Sequence, residues 1–438
     1  MNIAVIGLGK IGLPLAVQFA DKGHNVIGID VQERVVESVN SANEPFPGEA
    51  GLKDKLAATV SSGRLRASTD YSEGIPNADA VVIVVPLFVD DSTWEPDFRW
   101  MDQATQSLAE HLSANTLISY ETTLPVGTTR NRWKPMLEAG SGLREGSDFH
   151  LVFSPERVLT GRVFADLRKY PKLVGALSDD GRDAAVEFYE NVLDFDSRPD
   201  LAPRTNGVWD LGSAEAAEMA KLAETTYRDV NIALANEFSR FAETTGIDVH
   251  KVIEASNSQP YSHIHRPGIA VGGHCIPVYP RLYLHSDPEA TTVRTARLTN
   301  MAMPERVVKA TLARIPDSVS NPHVVVLGAA YRGGVKETAF SGVFSTVDAL
   351  TSRGATVSVH DPLYSSGELR DLGFTPYILG QSADAVIIQA DHHDYQTIGS
   401  DDIPGVRVVF DGRNISSADQ WPNAEVLIIG DGETRSFE

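Results

Sequence analysis

The sequence predicts an α/β protein with two doubly wound parallel-sheet domains joined by a long central helix. Residues 1–200 and 318–438 both alternate short β-branched runs with helical patterns, whereas the segment between them is mostly helical. Strands that are apolar along their whole length are typical of a parallel sheet covered by helices on both faces. The rhythm of the elements therefore predicts the fold class before any motif is considered.

The first region contains six predicted strands. They are residues 2–6, 25–30, 80–85, 116–121, 150–153 and 172–174. A loop rich in Pro, Asp, Asn and Gly follows at about 197–212, and we interpret it as an interdomain connection.

A long helix is predicted from the cap residue Ser213 to about residue 245, just before Gly246. At 1.5 Å per residue it would be on the order of 45 Å long. Apolar residues such as Leu234 and Phe241 lie nearly all round it, so its own domains or a partner subunit must bury it. Region 213–305 is therefore predicted to be a central helical segment.

The alternating pattern returns in the last region. Its predicted strands are residues 323–327, 356–360, 385–389, 407–410 and 425–429. Residues 318–438 are therefore predicted to form a second α/β domain.

Composition excludes several classes of function. The chain has 38 Lys and Arg against 59 Asp and Glu, a formal charge of −21, which repels nucleic acids and anionic membrane surfaces. No segment reaches the roughly 20 apolar residues that span a bilayer. The first residues lack a basic leader, so we expect a cytoplasmic protein. The single cysteine excludes an intrachain disulfide and a multi-cysteine zinc site, and no metal site is predicted.

Gly7, Gly9 and Gly12 form a dinucleotide fingerprint between a strand and a helix, and Asp30 ends the next strand. Such glycines permit a tight turn and close approach of a pyrophosphate, and the carboxylate binds ribose hydroxyls. No arginine adjoins Asp30 to accept a 2′-phosphate, so residues 1–200 are predicted to be a Rossmann-like NAD-binding domain. The predicted cofactor-binding set is completed by Lys10, Ile11, Pro86 and Thr123.

The second α/β domain breaks this fingerprint. Its first strand leads into Gly328-Ala329-Ala330, with one glycine where three are needed. We therefore predict that it binds a nucleotide-bearing substrate rather than a second dinucleotide; the alternative is a purely structural domain.

Cys275 follows two glycines and a histidine, in Gly272-Gly273-His274-Cys275. Many lone cysteines are inert core residues, but the glycines permit close approach of a ligand and the histidine can favour the thiolate. Beside a nicotinamide, a thiolate can capture an aldehyde as a thiohemiacetal and then hold a thioester for hydrolysis.

Three further positions are candidates for the same chemistry. Lys221 lies in an apolar stretch of the long helix, where a buried cation can stabilise an oxyanion, and Thr225 shares its face. Glu156 and Thr123 each follow a strand, at the sheet edge where open α/β folds bind ligands.

These motifs together resemble the UDP-glucose/GDP-mannose dehydrogenase family of four-electron nucleotide-sugar 6-dehydrogenases, over almost the whole chain. The matching segments are Gly-Leu-Gly-Lys-Ile-Gly-Leu-Pro-Leu-Ala at 7–16, Thr-Thr-Leu-Pro-Val-Gly-Thr at 122–128, Ser-Pro-Glu-Arg-Val-Leu at 154–159, Tyr-Arg-Asp-Val-Asn-Ile-Ala-Leu-Ala-Asn-Glu at 227–237, Gly-Gly-His-Cys-Ile-Pro-Val at 272–278 and Phe-Asp-Gly-Arg-Asn at 410–414.

The resemblance implies roles for these residues. Cys275 would be the nucleophile, Lys221 the oxyanion stabiliser and Glu156 the base for thioester hydrolysis, while Thr123 would help to hold a water. The implied contacts to the nucleotide sugar involve Glu156, Arg157, Lys221, Gly272, Gly273, Tyr279, Arg332 and Arg413, the last two at its phosphates. The cofactor would be NAD, and the long helix would form the core of a homodimer.

Three positions depart from the family pattern: Thr225 replaces a usual Asn, Tyr279 a usual Asp, and the segment around Ala339 lacks a usual Arg. The histidine before the cysteine, His274, resembles the motif of the family branch that acts on UDP-N-acetylhexosamines. UDP-glucose and dTDP-sugars are the alternative substrates. The alternative functions are a two-electron hydroxy-acid dehydrogenase and a non-catalytic NAD-binding regulatory protein.

Overall fold

The computed structural model describes residues 1–432 of the 438-residue chain. This part of the chain divides into two compact units. The first unit consists of Met1–Glu224 with Arg281–Ser286, and the second consists of Thr225–Pro280 with the described residues from Asp287 onward. Each unit contains one large sheet.

The sheet of the first unit has eight strands, in the order β10-β9-β8-β7-β4-β1-β2-β3. The strands of this unit, including a separate β5–β6 hairpin, are β1 (Asn2–Ile6), β2 (Asn25–Ile29), β3 (Leu65–Ser68), β4 (Ala80–Ile83), β5 (Phe88–Val89), β6 (Pro96–Asp97), β7 (Leu117–Tyr120), β8 (His150–Phe153), β9 (Lys172–Ala176) and β10 (Val208–Asp210). With β1 between β2 and β4, the sheet is doubly wound as predicted. The sequence did not predict β3 or β10, because both are short and partly polar.

Helices cover this sheet and bury its strands. They are α1 (Gly12–Asp21), α2 (Glu33–Asn40), α3 (Leu52–Ser61), α4 (Arg99–Ala109), α5 (Lys134–Ser141), α6 (Val163–Lys169) and α7 (Asp179–Val192). Every residue of β4 and β7 is buried, which explains why these strands are almost uniformly apolar.

One strand pair departs from the predicted parallel arrangement. Strand β9 runs antiparallel to β8, with Val152 paired to Ala176 and Phe153 to Gly175. Continuing this register beyond β8 places Glu156 opposite Lys172. The reversal therefore brings the first residue of β9 to the carboxyl end of β8.

A helix of 32 residues, α8 (Ala214–Thr245), follows the first sheet. Its start and end agree with the prediction: the Ser213 hydroxyl accepts a hydrogen bond from the Ala216 N–H at 3.1 Å, and Gly246 ends the helix with φ +70°. Leu222 and Ala235 on this helix are buried, whereas Phe241 is 62% exposed.

The second unit contains a five-stranded parallel sheet in the order β12-β11-β13-β14-β15. Its strands are β11 (His323–Leu327), β12 (Thr356–His360), β13 (Ala385–Ile388), β14 (Val408–Asp411) and β15 (Glu425–Ile428). The helices after α8 along the chain are α9 (Val249–Asn257), α10 (Tyr279–Ser286), α11 (Thr291–Met301), α12 (Met303–Leu312), α13 (Gly342–Thr351) and α14 (Ser366–Asp371).

The two sheets and the long helix confirm the predicted fold class. Within residues 1–432, we find no helix with both the length and the apolar character that a bilayer crossing requires.

Candidate active site

The turn after β1 has the backbone shape that the glycine fingerprint predicts. Gly7 has φ +91°, and a Cβ on Gly12 would lie 1.8 Å from the Gly7 carbonyl oxygen. A Cβ on Gly9 would meet no atom within 4 Å. The turn therefore packs tightly against α1 and leaves open space at Gly9, where a ligand can approach the helix N-terminus.

Asp30 follows β2 and fixes the same turn. Its Oδ2 accepts a hydrogen bond from the Leu8 N–H at 2.8 Å, and its Oδ1 accepts one from the Gln32 N–H at 2.9 Å. The half-buried carboxylate keeps a second lone pair on each oxygen for ribose hydroxyls. The carboxylate and the open space at Gly9 fit the adenosine and pyrophosphate of NAD.

The other predicted cofactor residues follow neighbouring strands. Lys10 is exposed and Ile11 is half-buried in the β1 turn, whereas Pro86 is exposed after β4 and Thr123 is buried after β7. Since β2, β1, β4 and β7 are consecutive parallel neighbours, their carboxyl ends lie along one edge of the sheet. The fold thus gathers this predicted set at a single edge.

A buried carboxylate that the sequence did not single out holds the loop after β7. Glu218 on α8 accepts hydrogen bonds from the Gly127 N–H at 2.5 Å, the Thr129 N–H at 2.9 Å and the Thr129 hydroxyl at 2.7 Å. Burial raises the pKa of Glu218 to about 7, although these hydrogen bonds act in the opposite direction. Glu218 thereby ties the loop of Thr123 to the helix that carries Lys221.

Both carboxylate oxygens of Glu156 are held by neighbours. Oε1 accepts hydrogen bonds from the Arg157 N–H at 2.7 Å and the Val158 N–H at 3.2 Å, and Oε2 accepts one from Lys172 Nζ at 2.9 Å. Lys172 Nζ also donates to Glu121 Oε2 at 2.7 Å. The side chains of Glu156, Lys172 and Glu121 are 11%, 5% and 0% exposed, so these ion pairs are shielded from solvent.

Negative charge in this cluster is favoured on Glu156. Burial opposes its ionisation, but the ammonium of Lys172, a backbone hydrogen bond and the charge of Lys221 outweigh burial and lower the pKa of Glu156. Burial raises the pKa of Glu121, against the opposing effect of Lys172. For Lys172, burial acts to lower the pKa, but the two carboxylates raise it overall.

The sequence predicted Glu156 and Lys221 but not Lys172 and Glu121. The sequence shows only that each residue adjoins an apolar strand. Lys172 is the first residue of β9, and Glu121 directly follows β7. Such residues are usually solvated, so the pattern alone does not separate a buried ion pair from an exposed one.

The helix that carries Lys221 keeps this side chain away from water. Lys221 is 4% exposed, and Thr225, one helical turn later, is 0% exposed. Near Lys221 along the helix, Glu224 Oε2 lies 3.6 Å from Arg157 Nη1, so the segment after β8 contacts the helix. A buried ammonium is suited to stabilise a developing oxyanion.

The second unit presents the cysteine in a turn that its glycines make possible. Cys275 is half-buried. Gly273 has φ +89° and donates its N–H to the Ala339 carbonyl at 2.9 Å, and a Cβ on Gly272 would lie 2.5 Å from the Cβ of Tyr331. Both glycines are therefore required by the backbone shape and by close packing.

The residues on either side of Cys275 take different positions. The His274 imidazole is 62% exposed, with Nε2 3.8 Å from Glu337 Oε2. Tyr279 is half-buried at the start of α10 and donates its N–H to the Cys275 carbonyl at 2.9 Å. The cysteine carbonyl thus begins the first turn of this helix.

A buried arginine that the sequence did not predict holds the same turn. Arg297 on α11 is 2% exposed, and its Nη1 donates to the Ile276 carbonyl at 3.3 Å and to Asp229 Oδ1 at 2.8 Å. Asn300 Nδ2 donates to the same Asp229 oxygen at 2.8 Å. Helices α8 and α11 are therefore joined to the residue after Cys275 through one buried polar network.

The two predicted phosphate-binding arginines differ in their surroundings. Arg413 follows β14, and its guanidinium donates to the Gln389 carbonyl at 2.7 Å and the Tyr331 carbonyl at 3.3 Å. Burial lowers the pKa of Arg413, although nearby carboxylates act in the opposite direction. Arg332 is exposed, with its guanidinium 5.8 Å from the centre of the Tyr331 ring. Arg413 is held by two backbone carbonyls, whereas Arg332 donates from Nε to the Tyr331 hydroxyl at 3.3 Å on an exposed surface.

Comparisons with known proteins cover nearly the whole chain. Residues 1–193, 215–303 and 325–418 match the NAD binding, central and UDP binding domains of the UDP-glucose/GDP-mannose dehydrogenase family. A UDP-N-acetyl-D-mannosamine dehydrogenase from Pyrococcus horikoshii is 34% identical over 95% of this chain and 96% of its own length. An NDP-N-acetyl-D-galactosaminuronic acid dehydrogenase from Ralstonia solanacearum is 32% identical over 95% and 96% of the two chains. A solved structure of the P. horikoshii UDP-D-ManNAc dehydrogenase aligns with TM-score 0.87 and 31% identity, over 99% of this chain and all of that one.

Proposed function

Because the chain belongs to the UDP-glucose/GDP-mannose dehydrogenase family, we propose that it oxidises the C6 hydroxymethyl group of a UDP-hexose to a carboxylate. Membership confirms the predicted family, and the chain is an NAD-dependent nucleotide-sugar dehydrogenase. It is therefore neither a hydroxy-acid dehydrogenase nor a non-catalytic regulatory protein. The observation that carries the proposal is the turn of Gly272, Gly273 and Cys275, which places a half-buried thiol on a backbone that only glycines permit.

The proposed substrate is a UDP-N-acetylhexosamine, with UDP-N-acetyl-D-mannosamine as the first candidate. Two observations support this choice: relatives of at least 30% identity carry that name, and His274 precedes the cysteine. UDP-glucose and dTDP-sugars are the alternatives that the experiment below distinguishes.

The proposed reaction consists of two successive two-electron oxidations of C6, followed by hydrolysis. NAD⁺ supplies the hydride acceptor in each oxidation. The C6 alcohol loses a hydride and a proton to give an aldehyde, to which the Cys275 thiolate adds to give a thiohemiacetal after protonation. Loss of a second hydride and a proton gives a thioester, and water then releases the carboxylate and regenerates the thiol.

The remaining roles are assigned by charge and burial. Lys221, a buried cation, stabilises the alkoxide and the tetrahedral oxyanions, and Glu156 accepts the proton of the hydrolytic water. Thr123 holds that water, and Thr225 acts beside Lys221 in the first oxidation. These assignments are supported by the burial of Lys221, Thr123 and Thr225 and by the ionised state favoured at Glu156.

The arginines, Tyr279 and the glycines of the cysteine turn are proposed to bind the nucleotide sugar. Arg332 and Arg413 meet the diphosphate, a role that suits guanidinium groups in an otherwise acidic protein. Arg157, Tyr279 and the glycines of the cysteine turn contact the sugar. The segment around Ala339, which lacks the usual family arginine, supports this turn, because the Ala339 carbonyl accepts a hydrogen bond from the Gly273 N–H.

The chain is proposed to act as a homodimer through α8. Leu234, Phe238 and Phe241 on this helix are 43%, 38% and 62% exposed, and such apolar side chains along one helix are typical of an interface. A groove of about 330 Å³, lined by Leu234, Ala233, Val230 and threonines of α11, lies beside them. Three functional regions, residues 1–200, 213–305 and 318–438, and a cytoplasmic location remain predictions.

A screen of NADH production over UDP-, dTDP- and GDP-sugars tests the substrate and the stoichiometry together. We expect two NADH per sugar oxidised, with a UDP-N-acetylhexosamine as the best substrate by kcat/KM. Cys275→Ser should lose nearly all turnover and keep nucleotide-sugar binding, measured by calorimetry. One NADH per sugar, or full turnover by Cys275→Ser, would contradict the four-electron mechanism.

A further inference from the structure

Lys172 lies at the centre of a buried charge cluster that the proposed mechanism does not otherwise use. Its Nζ lies 2.9 Å from Glu156 Oε2 and 2.7 Å from Glu121 Oε2, and its side chain is 5% exposed. The cluster is anchored further by Tyr189, whose hydroxyl donates to Glu121 Oε1 at 2.7 Å and lies 2.7 Å from the Ser119 hydroxyl. A buried lysine with two carboxylate partners has a fixed position and a fixed charge.

We propose that Lys172 is a positioning residue of the dehydrogenase, which acts through Glu156 by keeping it a carboxylate and by directing its Oε2. This inference rests on the proposed role of Glu156 as the base for thioester hydrolysis. Lys172 itself does not touch the reacting atoms in this proposal.

Hydrogen-bond capacity shows which oxygen Lys172 directs. A carboxylate oxygen accepts about two hydrogen bonds. Oε1 of Glu156 already accepts from the N–H groups of Arg157 and Val158, whereas Oε2 accepts from Lys172. Oε2 therefore keeps one acceptor position for a water molecule, and the ammonium of Lys172 determines where that position points.

The charges around Glu156 explain why Lys172 is needed. The facing groups are Lys172 on β9, Glu121 after β7 and Lys221 on α8, with Arg157 adjacent along the chain. A second carboxylate this close disfavours ionisation of the first, and burial adds to the effect. Lys172 donates to both carboxylates and compensates the repulsion and the burial, while Tyr189 donates to the other oxygen of Glu121, Oε1.

The reversed strand makes this arrangement possible. Because β9 runs antiparallel to β8, its first residue lies opposite Glu156 in the continued register. A parallel β9 would start at the other edge of the sheet and carry Lys172 away from both carboxylates.

The test measures how pH affects breakdown of the acyl-enzyme in the full-length protein with NAD⁺ and the substrate found in the screen. Lys172→Met should move the acid limb of the breakdown rate to higher pH by about one unit or more. Near neutral pH, the Cys275 acyl adduct should accumulate in intact-protein mass spectra, while the Kd of the sugar, measured by calorimetry, should change less than about two-fold. Lys172→Arg should keep the wild-type acid limb, and Lys169→Met, at an exposed position three residues earlier, is the matched control.

The double variant Glu121→Gln/Lys172→Met removes a buried cation together with one anion, so it covers the case in which Lys172→Met does not fold. It should show a smaller upward movement of the acid limb than Lys172→Met, because the repulsion from Glu121 is removed together with the attraction of Lys172. An unmoved limb and no adduct in these variants, while Glu156→Gln accumulates the adduct, would overturn the role of Lys172 and leave that of Glu156 intact. If Glu156→Gln hydrolyses the acyl-enzyme normally, the proposed base is wrong instead.

Discussion

The first strands of the two large sheets both end at a glycine with positive φ, but the two turns lead into different structures. After β1, Gly7 is followed by α1 from Gly12, and Asp30 at the end of β2 accepts the Leu8 N–H. After β11, Gly328 has φ +112°, but the next helix, α13, begins only at Gly342. The first turn therefore offers a helix N-terminus to a phosphate, whereas the second offers an extended loop.

The carboxylate after the second strand differs even more. Asp361 follows β12 and accepts hydrogen bonds from the Ala329 N–H at 2.9 Å, the Ala330 N–H at 3.0 Å and the Leu363 N–H at 2.9 Å. His392 lies 3.2 Å from the same carboxylate, and Asp361 is 2% exposed. Asp361, which stands where Asp30 stands in the first sheet, is thus buried and bonded mainly to the protein itself, which is a physical reason to expect no second dinucleotide in this domain.

Gly12→Val should have the largest effect on the first turn. Its Cβ would lie 1.8 Å from the Gly7 carbonyl oxygen, so the turn and α1 must separate. We expect NAD binding, measured by calorimetry, to weaken by about 1,000-fold, or about 4 kcal/mol. Gly9→Ala is the matched control for fold, because its Cβ meets no protein atom within 4 Å. It should keep the wild-type Tm and weaken NAD binding by only about 10-fold. Equal losses of NAD affinity in both variants would contradict the proposal that the tight packing of this turn against α1 shapes the NAD site.

Paired alanine variants separate the two carboxylates. Asp361→Ala should lower the free energy of unfolding by about 3 kcal/mol, since buried N–H donors and His392 lose their acceptor, and leave NAD affinity unchanged. Asp30→Ala should weaken NAD binding by about 10- to 30-fold, with a smaller loss of stability. Urea unfolding and calorimetry measure both quantities, and an NAD defect in Asp361→Ala would undo the distinction.

The smallest expected effect is the acid sensitivity that the buried carboxylate of Asp361 gives to the second sheet. Burial opposes ionisation of Asp361, but His392 and the backbone N–H groups outweigh it and lower the pKa of Asp361. A lowered pKa contributes stability that is complete above the unfolded value of about 3.9 and is lost as pH falls through the folded value.

Hydrogen exchange of β11 and β12, corrected for intrinsic rates, should therefore lose protection as pH falls below about 4. Asp361→Asn should lose less protection over the same range, because it carries no proton-linked charge. An equal loss in the variant would show that other groups control the acid sensitivity.

Much of the fold was predictable because each buried strand is a short, continuous run of apolar residues in the sequence. Residues 2–6, 150–153, 323–327 and 356–360 form strands with the predicted bounds, and the helix from Ser213 ends at Gly246 as expected. Strands β3 and β10 were missed because they are short and partly polar, so their pairing partners rather than their own residues make them strands.

The candidate site divides in the same way. The glycine turn, Asp30, Glu156, Lys221 and the Cys275 turn were predicted, since each is a short motif whose chemistry depends on adjacent residues. Glu121, Lys172, Glu218 and Arg297 support those motifs and were not predicted, because their partners are distant in sequence.

The sequence by itself determined the two sheets, the long helix, the glycine turn after β1 and the Cys275 turn, because backbone preference and hydrophobic period act over a few residues. Only the tertiary structure decided which buried charges meet. The reversal of β9 places Lys172 opposite Glu156. In that water-poor interior its ammonium lies 2.9 Å from Glu156 and 2.7 Å from Glu121 and acts to lower the pKa of both carboxylates. Coulombic interaction and burial depend on distances in space, which a one-dimensional pattern does not contain.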